Sequence, residues 1–574
     1  MNLTVRCGEH QSAVEARLAT LERDGTMRRL WARDPTLWSA EASHQEVARR
    51  RLGWLGVAER MRAEVDSLRA FAREAAAEGF TRAVLLGMGG SSLAPEVMQL
   101  TFGTSPGGLP LTVLDSTSPA AVRAVAASHD PARTLFLVSS KSGGTIEVVS
   151  FEAYFFDWVG AARGKEAGRA FAAITDAGTS LERLAGERGY RRVFVNPSDI
   201  GGRYSALSYF GLVPAALTGV DLAALLDQAA AESRRSSAAA AGAENPALVL
   251  GAALGELALH GRDKVTLVLG PEIASFASWV EQLLAESTGK AGRGLVPVAG
   301  EPLGDGDSYG RDRVFVALAA RPLPEDLRRA LDRLERDGHP VLRGQLESTA
   351  AIGGEFLRWE IATAVASSIL GVDAFDEPNV TEAKQATQAA LDRFLVDRRF
   401  PAHEAVASAA GLSVEMPPPL REALRPHVAN ASDPAAWAAA LLRVAKPGDY
   451  FAMLAYLRRT SARDERLERV RVAARSSSRV ATTLGYGPRF LHSTGQLHKG
   501  GPNTGLFLQL TADEGAEAPI PGKAFGFGAL IEAQSLGDYE VLARRGRRVV
   551  RLHLGSEPER AIDSIADAIT AARV

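Results

Sequence analysis

From about residue 80 the chain alternates short, wholly apolar runs with longer amphipathic stretches. TRAVLLG, LTVLD, TLFLVS, FAAIT and RVFVN are each of strand length, lack polar alternation and are bounded by Gly, Ser, Asp or Pro. That is the pattern of strands buried on both faces, and strands alternating with helices predict a parallel sheet covered by helices. The pattern resumes with VTLVLG, RVFVAL and HPVLRG, separated by helical segments such as FASWVEQLLAES. Residues 10–80, in contrast, are rich in helix formers and charges with few breakers. The stretch AESRRSSAAAAGAENP, residues 231–246, is poor in large apolar residues and marks a helix end or a boundary.

The expected fold class is therefore α/β. An N-terminal helical segment (1–75) leads into two αβα sandwiches with parallel sheets (76–245 and 246–395). A C-terminal α/β region (396–574) opens helical and closes with FLQLT, KAFGFGAL and VVRLHLG as strand candidates. A chain of 574 residues has room for two to four such units, each with its own core.

Composition narrows the function classes. Lys+Arg 66 against Asp+Glu 68 leaves a formal charge of -2, so no global field draws the chain to nucleic acid or anionic lipid, and any anion must be caught locally. One cysteine, Cys7, excludes an intramolecular disulfide or a multi-thiolate metal site and fits a reducing compartment, so the expected location is the cytoplasm. The N-terminus lacks a signal-peptide pattern, and no apolar run is long enough to span a bilayer. The ten histidines form no HExxH or similar cluster, and neither a metal nor a cofactor is expected.

Two strand-to-helix turns carry candidate chemistry. In VLLGMGGSSLAPEVM (84–98) a strand runs into Gly87, Gly89, Gly90, Ser91 and Ser92 before a helix. Glycines admit a ligand close to the backbone and the helix start offers free N–H groups, although such glycines also serve plain chain reversal. The spacing is not a full GxGxxG and no acidic residue stands in place for a ribose, which disfavours a dinucleotide. In TLFLVSSKSGGTIEVVSF (134–151) a second strand breaks into Ser139, Ser140, Lys141, Ser142, Gly143, Gly144 and Thr145. Hydroxyls, a cation, two glycines and a helix start are what a phosphate dianion needs, and the absence of GxxxxGK[ST] favours a small phosphorylated metabolite over ATP or GTP.

Together these loops resemble the sugar-phosphate-binding domain of sugar isomerases (the SIS domain). Four further segments bring the resemblance to the phosphoglucose isomerase family, nearest to the isomerase half of bifunctional transaldolase/phosphoglucose isomerases. It runs from about residue 80 to the end. NPSDIGGRYSALSYFG (196–211) is similar to the family's GGRYS motif and implies that Gly202 and Arg203 stabilise enediolate oxygens. In WVEQLLAESTGKAGRG (279–294), Gln282 and Glu286 lie four apart on one helix face, and the resemblance makes Glu286 the base that moves a proton between C1 and C2. VDAFDEPNVTEAK (372–384) looks like the family's FDQPGVELGK, which implies a catalytic Lys384 at the lysine that contacts the ring oxygen and O1 and helps open the ring; Glu377 stands where Gln is usual, and Asn379 replaces a glycine.

The C-terminal FLHSTGQLHKGGPNTGLFLQLT (490–511) offers His498 and His492 for ring opening, with His498 preferred. Without the resemblance these residues would read as an arginine paired near a turn, a solvated helix glutamate, an ordinary helix lysine and loop-bonded histidines. The implied reaction is glucose 6-phosphate to fructose 6-phosphate, with Gly90, Ser91, Ser140, Lys141, Ser142, Thr145, Gly202, Gln282 and Glu377 as substrate-binding residues and a homodimer as the implied assembly. The alternatives are a mannose- or amino-sugar-phosphate isomerase and a non-catalytic sugar-phosphate-binding module. The chain has no strand–helix series for an additional (β/α)8 barrel, so transaldolase activity is not expected.

Overall fold

The computed structural model describes residues 3–240, 242–401, 404–513 and 515–572. Three sheets organise the chain. The first is fully parallel, with strands in the spatial order Leu111–Leu114, Arg82–Gly87, Thr134–Ser139, Phe171–Asp176 and Arg192–Asn196. The chain leaves Arg82–Gly87 toward one edge and returns on its other side at Thr134–Ser139. The order of winding therefore reverses between these two strands, where ligands of open α/β sheets bind, outside the carboxyl ends. The loops 88–92 and 140–145 flank that point.

The second sheet runs Leu3–Arg6, Val341–Gln345, Arg313–Ala319, Lys264–Leu269 and Val296–Val298. Four of its strands are parallel, and Leu3–Arg6 adds to the edge in antiparallel register. The N-terminal segment thus opens with a strand before its helices, a correction to the all-helical expectation. Four residues that alternate half-buried with exposed are enough for an edge strand but too short to stand out from the pattern alone.

The C-terminal region is a third sandwich. Its sheet runs Ala407–Ala409, Leu412–Glu415, Arg548–His553, Gly505–Thr511, Tyr450–Tyr456 and Ala481–Tyr486; the last four are parallel, and the edge hairpin is antiparallel. Alternate residues of Tyr450–Tyr456 enter different cores: Phe451, Met453 and Ala455 one, Tyr450, Ala452, Leu454 and Tyr456 the other. Helix cover on both faces explains why the whole run is apolar. KAFGFGAL, a strand candidate in the sequence, instead leads into the helix Phe527–Arg544, whose buried residues recur through its length. Among the described residues no helix is long and apolar enough to cross a membrane.

Candidate active site

The helix Phe276–Thr288 carries Gln282 and Glu286 on one face, both buried. Gln282 Nε2 donates to Glu286 Oε2 at 3.0 Å and to the His492 carbonyl at 2.8 Å. Arg203, from the short turn Gly202–Tyr204, lies with Nη1 3.1 Å from the other carboxylate oxygen of Glu286 and 3.1 Å from Glu377 Oε2. Its Nε donates to Ser287 Oγ at 2.9 Å and its Nη2 to the carbonyls of Ala374 and Asp376 at 2.7 and 3.0 Å. A planar fork fixed at every corner holds one orientation, which suits stabilising charge that develops at a defined place. Burial pushes Glu286 above the ordinary carboxylate value; Arg203 opposes that push and Glu377 adds to it.

The turn 88–92 braces this cluster from behind. Gly89 adopts φ +53°, and a Cβ there would lie 2.5 Å from the His492 carbonyl oxygen; a Cβ on Gly90 would lie 2.2 Å from that of Gly202. Gly90 and the buried Ser91 therefore let three loops meet, and they do not line the adjoining cavity. Lys290, four residues beyond Glu286, is buried and pairs with Asp376 at 2.6 Å and with the Asp373 carbonyl, which ties the loop before Glu377 to the Glu286 helix.

Beside the cluster lies a cavity of about 210 Å3 lined by Ser142, Gly144, Thr145, Lys384, His492 and Gln534, among others. The helix Ile146–Arg163 starts here with no side-chain cap at Thr145, so its first N–H groups border the cavity. Ser140 is buried behind the loop, where its Oγ accepts from the Gly143 N–H at 3.1 Å and meets Thr145 Oγ1 at 3.0 Å. It shapes the loop instead of facing the cavity. Lys141, expected as the phosphate cation, forms an ion pair with Asp176 and donates to the Ser198 carbonyl at 3.3 Å. It is turned away from the cavity, and Lys384 is the lysine that lines it.

The histidine preference is also corrected. His498 is fully enclosed by the rings of Tyr450, Phe490 and Phe507, at 5.2 to 6.2 Å between centroids, and its Nδ1 has no hydrogen-bond partner among the described residues. Burial pushes its pKa well below the ordinary imidazole value. His492 instead lines the cavity and sits with Nε2 3.0 Å from Glu147 Oε1. Glu147 also accepts from Gln534 Nε2 at 2.8 Å, and Gln534 Oε1 accepts from Thr117 Oγ1 at 2.6 Å. Burial alone would push Glu147 up, but the His492 ring and its hydrogen bond hold the carboxyl below its ordinary value.

Glu147 and Gln534 were not singled out in the sequence. Glu147 stands two residues past Thr145, within the phosphate motif, and that adjacency was its available signal. Gln534 sits in a helix with no local motif.

Residues 53–294 match the sequence model of the family described as "Phosphoglucose isomerase". That span takes in the 88–92 and 140–145 loops, Arg203, Gln282 and Glu286, and ends before Glu377, Lys384 and His492. The glucose-6-phosphate isomerase of Thermus thermophilus is 32% identical over 268 residues, which cover 46% of this chain and 62% of that protein. The glucose-6-phosphate isomerase of Rubrobacter xylanophilus is 29% identical over 388 residues, covering 58% of this chain and 88% of the relative. Among solved structures, a hypothetical protein of Thermus thermophilus superposes with a TM-score of 0.56 at 25% identity, covering 68% of this chain and 100% of that one. The matched stretch thus spans less than two thirds of the Thermus thermophilus relative's own length, 62%.

Proposed function

We propose that this chain, whose residues 53–294 match the phosphoglucose isomerase family, interconverts glucose 6-phosphate and fructose 6-phosphate. One observation carries the reading. A single buried carboxylate, Glu286, is held between Arg203 and Gln282, and Gln282 is bonded in turn to His492 on the wall of a cavity that also presents Ser142, Thr145 and Lys384.

The phosphate dianion takes the uncapped helix start at Thr145, the Ser142 and Thr145 hydroxyls and the Lys384 ammonium. An ionised Glu147 holds the Nε2–H tautomer of His492, so Nδ1 is the nitrogen that handles a proton during ring opening; the ring oxygen gains a proton as the anomeric hydroxyl gives one up. Glu286 then takes the C2 proton of the open aldose and returns it to C1, while the O1 and O2 protons adjust to give the ketose. Charge that develops on the enediolate oxygens meets Arg203 and the Gly202 backbone. Burial favours the chemistry twice: it makes Glu286 a stronger base, and it keeps bulk water from the enediol, so that the proton Glu286 holds is returned to the sugar.

A homodimer and a cytoplasmic location belong to the same reading, the first supported by the resemblance and the second by the lone Cys7; light scattering tests the assembly. The function itself is tested by supplying fructose 6-phosphate and coupling formation of glucose 6-phosphate to its dehydrogenase. Steady turnover is expected. Absence of turnover at micromolar protein would sink the reading.

A further inference from the structure

Glu377 occupies the position before the helix Pro378–Asp397, where the family resemblance leads one to expect Gln. Its Oε2 lies 3.1 Å from Arg203 Nη1, and the same nitrogen lies 3.1 Å from Glu286 Oε1. The Nε and Nη2 donors of Arg203 are committed to Ser287 and to two carbonyls, so both carboxylates draw on one nitrogen. The Arg203 and Glu286 side chains are only 3% and 12% exposed, whereas that of Glu377 is 40% exposed and has solvent to turn into. The charged groups around Glu286 are Arg203 from the 202–204 turn, Glu377 from the segment opposite and Lys290 from its own loop, with Asp373 and Asp376 beyond Lys290. Gln282 and the His492 carbonyl close the other side.

We infer that Glu377 is a positioning residue for the proton transfer: by sharing Arg203 Nη1 it keeps the guanidinium from pairing wholly with Glu286, and so leaves that carboxylate available to a carbon-bound proton. This rests on the isomerase reading above. A second carboxylate on one guanidinium makes the ionised form of Glu286 less comfortable and therefore more basic. A glutamine can still accept from Nη1 through its amide oxygen, but it returns the whole positive charge to Glu286 and weakens the base.

Glu377→Gln, nearly isosteric at a half-exposed position, is the test. Its kcat is expected to fall about threefold to tenfold with KM within about twofold, and the acid limb of kcat/KM to move to lower pH. Glu377→Asp should restore part of both. A rise in KM with kcat and the acid limb unchanged would make Glu377 a substrate-binding residue and overturn the inference. Carbon-13 titration of the Glu286 carboxyl, assigned by the signal lost in Glu286→Gln, gives a readout that needs no turnover. A titration moved to lower pH in Glu377→Gln supports the inference, and an unmoved one overturns it. An inactive wild type would sink the isomerase reading while the titration still decided the role of Glu377.

Discussion

Asn379 and Gln496 exchange two hydrogen bonds: the Asn379 backbone N–H donates to Gln496 Oε1 at 2.9 Å, and Gln496 Nε2 donates to Asn379 Oδ1 at 2.8 Å. The same Nε2 also donates to the Gly289 carbonyl at 2.9 Å. One fully buried amide thus joins the start of the Lys384 helix, the loop after Glu286 and the short helix that follows His492. The departure from glycine at 379 is explained by this clasp. Replacing Gln496 with Leu leaves buried partners unmet and is expected to cost about 1–3 kcal/mol, read as a lower midpoint in urea. The kcat should fall as well, because the three segments lose their common anchor.

In the proposed mechanism His492 and Glu147 act as a pair in ring opening. His492→Ala is expected to lower kcat on glucose 6-phosphate by about 10²–10⁴, and Glu147→Gln by less. A four-carbon aldose phosphate cannot close a ring through O5, so its isomerisation should be nearly indifferent to His492→Ala. Equal losses on both substrates would assign His492 to the proton transfer itself.

His498, in contrast, is a core residue with a titration penalty. It stays neutral in its aromatic enclosure, whereas the unfolded chain binds a proton near pH 6.5. Stability attributable to it is therefore intact above that pH and declines as pH falls below it, by about 1.4 kcal/mol per unit. His498→Phe should keep activity and flatten the loss of stability between about pH 6.5 and 5, measured by chemical denaturation.

The two lysines separate by consequence. Lys384→Met is expected to raise KM for sugar phosphates by about tenfold or more, since it removes the cation on the cavity wall. Lys141→Met breaks the pair with Asp176, which is only 15% exposed. It should lower stability by about 1–3 kcal/mol with a smaller change in KM. Inhibition by inorganic phosphate, measured on both variants, distinguishes them directly.

What the sequence made legible, and what it hid, follows from the range of the interactions. Runs such as TLFLVS declare a strand buried on both faces because nothing polar interrupts them, and two such strands placed the loops 88–92 and 140–145 at the reversal of the first sheet. Gln282 and Glu286 were readable because helical spacing alone puts them together. Lys141 misled because a motif gives residue types but not the direction of a side chain, and the Asp176 that captures it lies on a neighbouring strand. His492 ends the turn Arg489–His492 and His498 lies in the short helix Gly495–Gly500 that follows, and only tertiary packing sends one to the cavity and the other into aromatic rings. Glu147 and Gln534 meet across 387 residues, a contact that no local pattern encodes.

The central claim is that Glu286 moves a proton at C2 of a phosphorylated sugar. Glucose 6-phosphate incubated in D2O and followed by proton NMR tests it most directly. The wild type is expected to wash out the C2 proton signal while fructose 6-phosphate forms. Glu286→Gln is expected to retain substrate binding and slow the exchange by about 10²–10⁴. Exchange at the wild-type rate in Glu286→Gln, with the fold intact, would contradict the account.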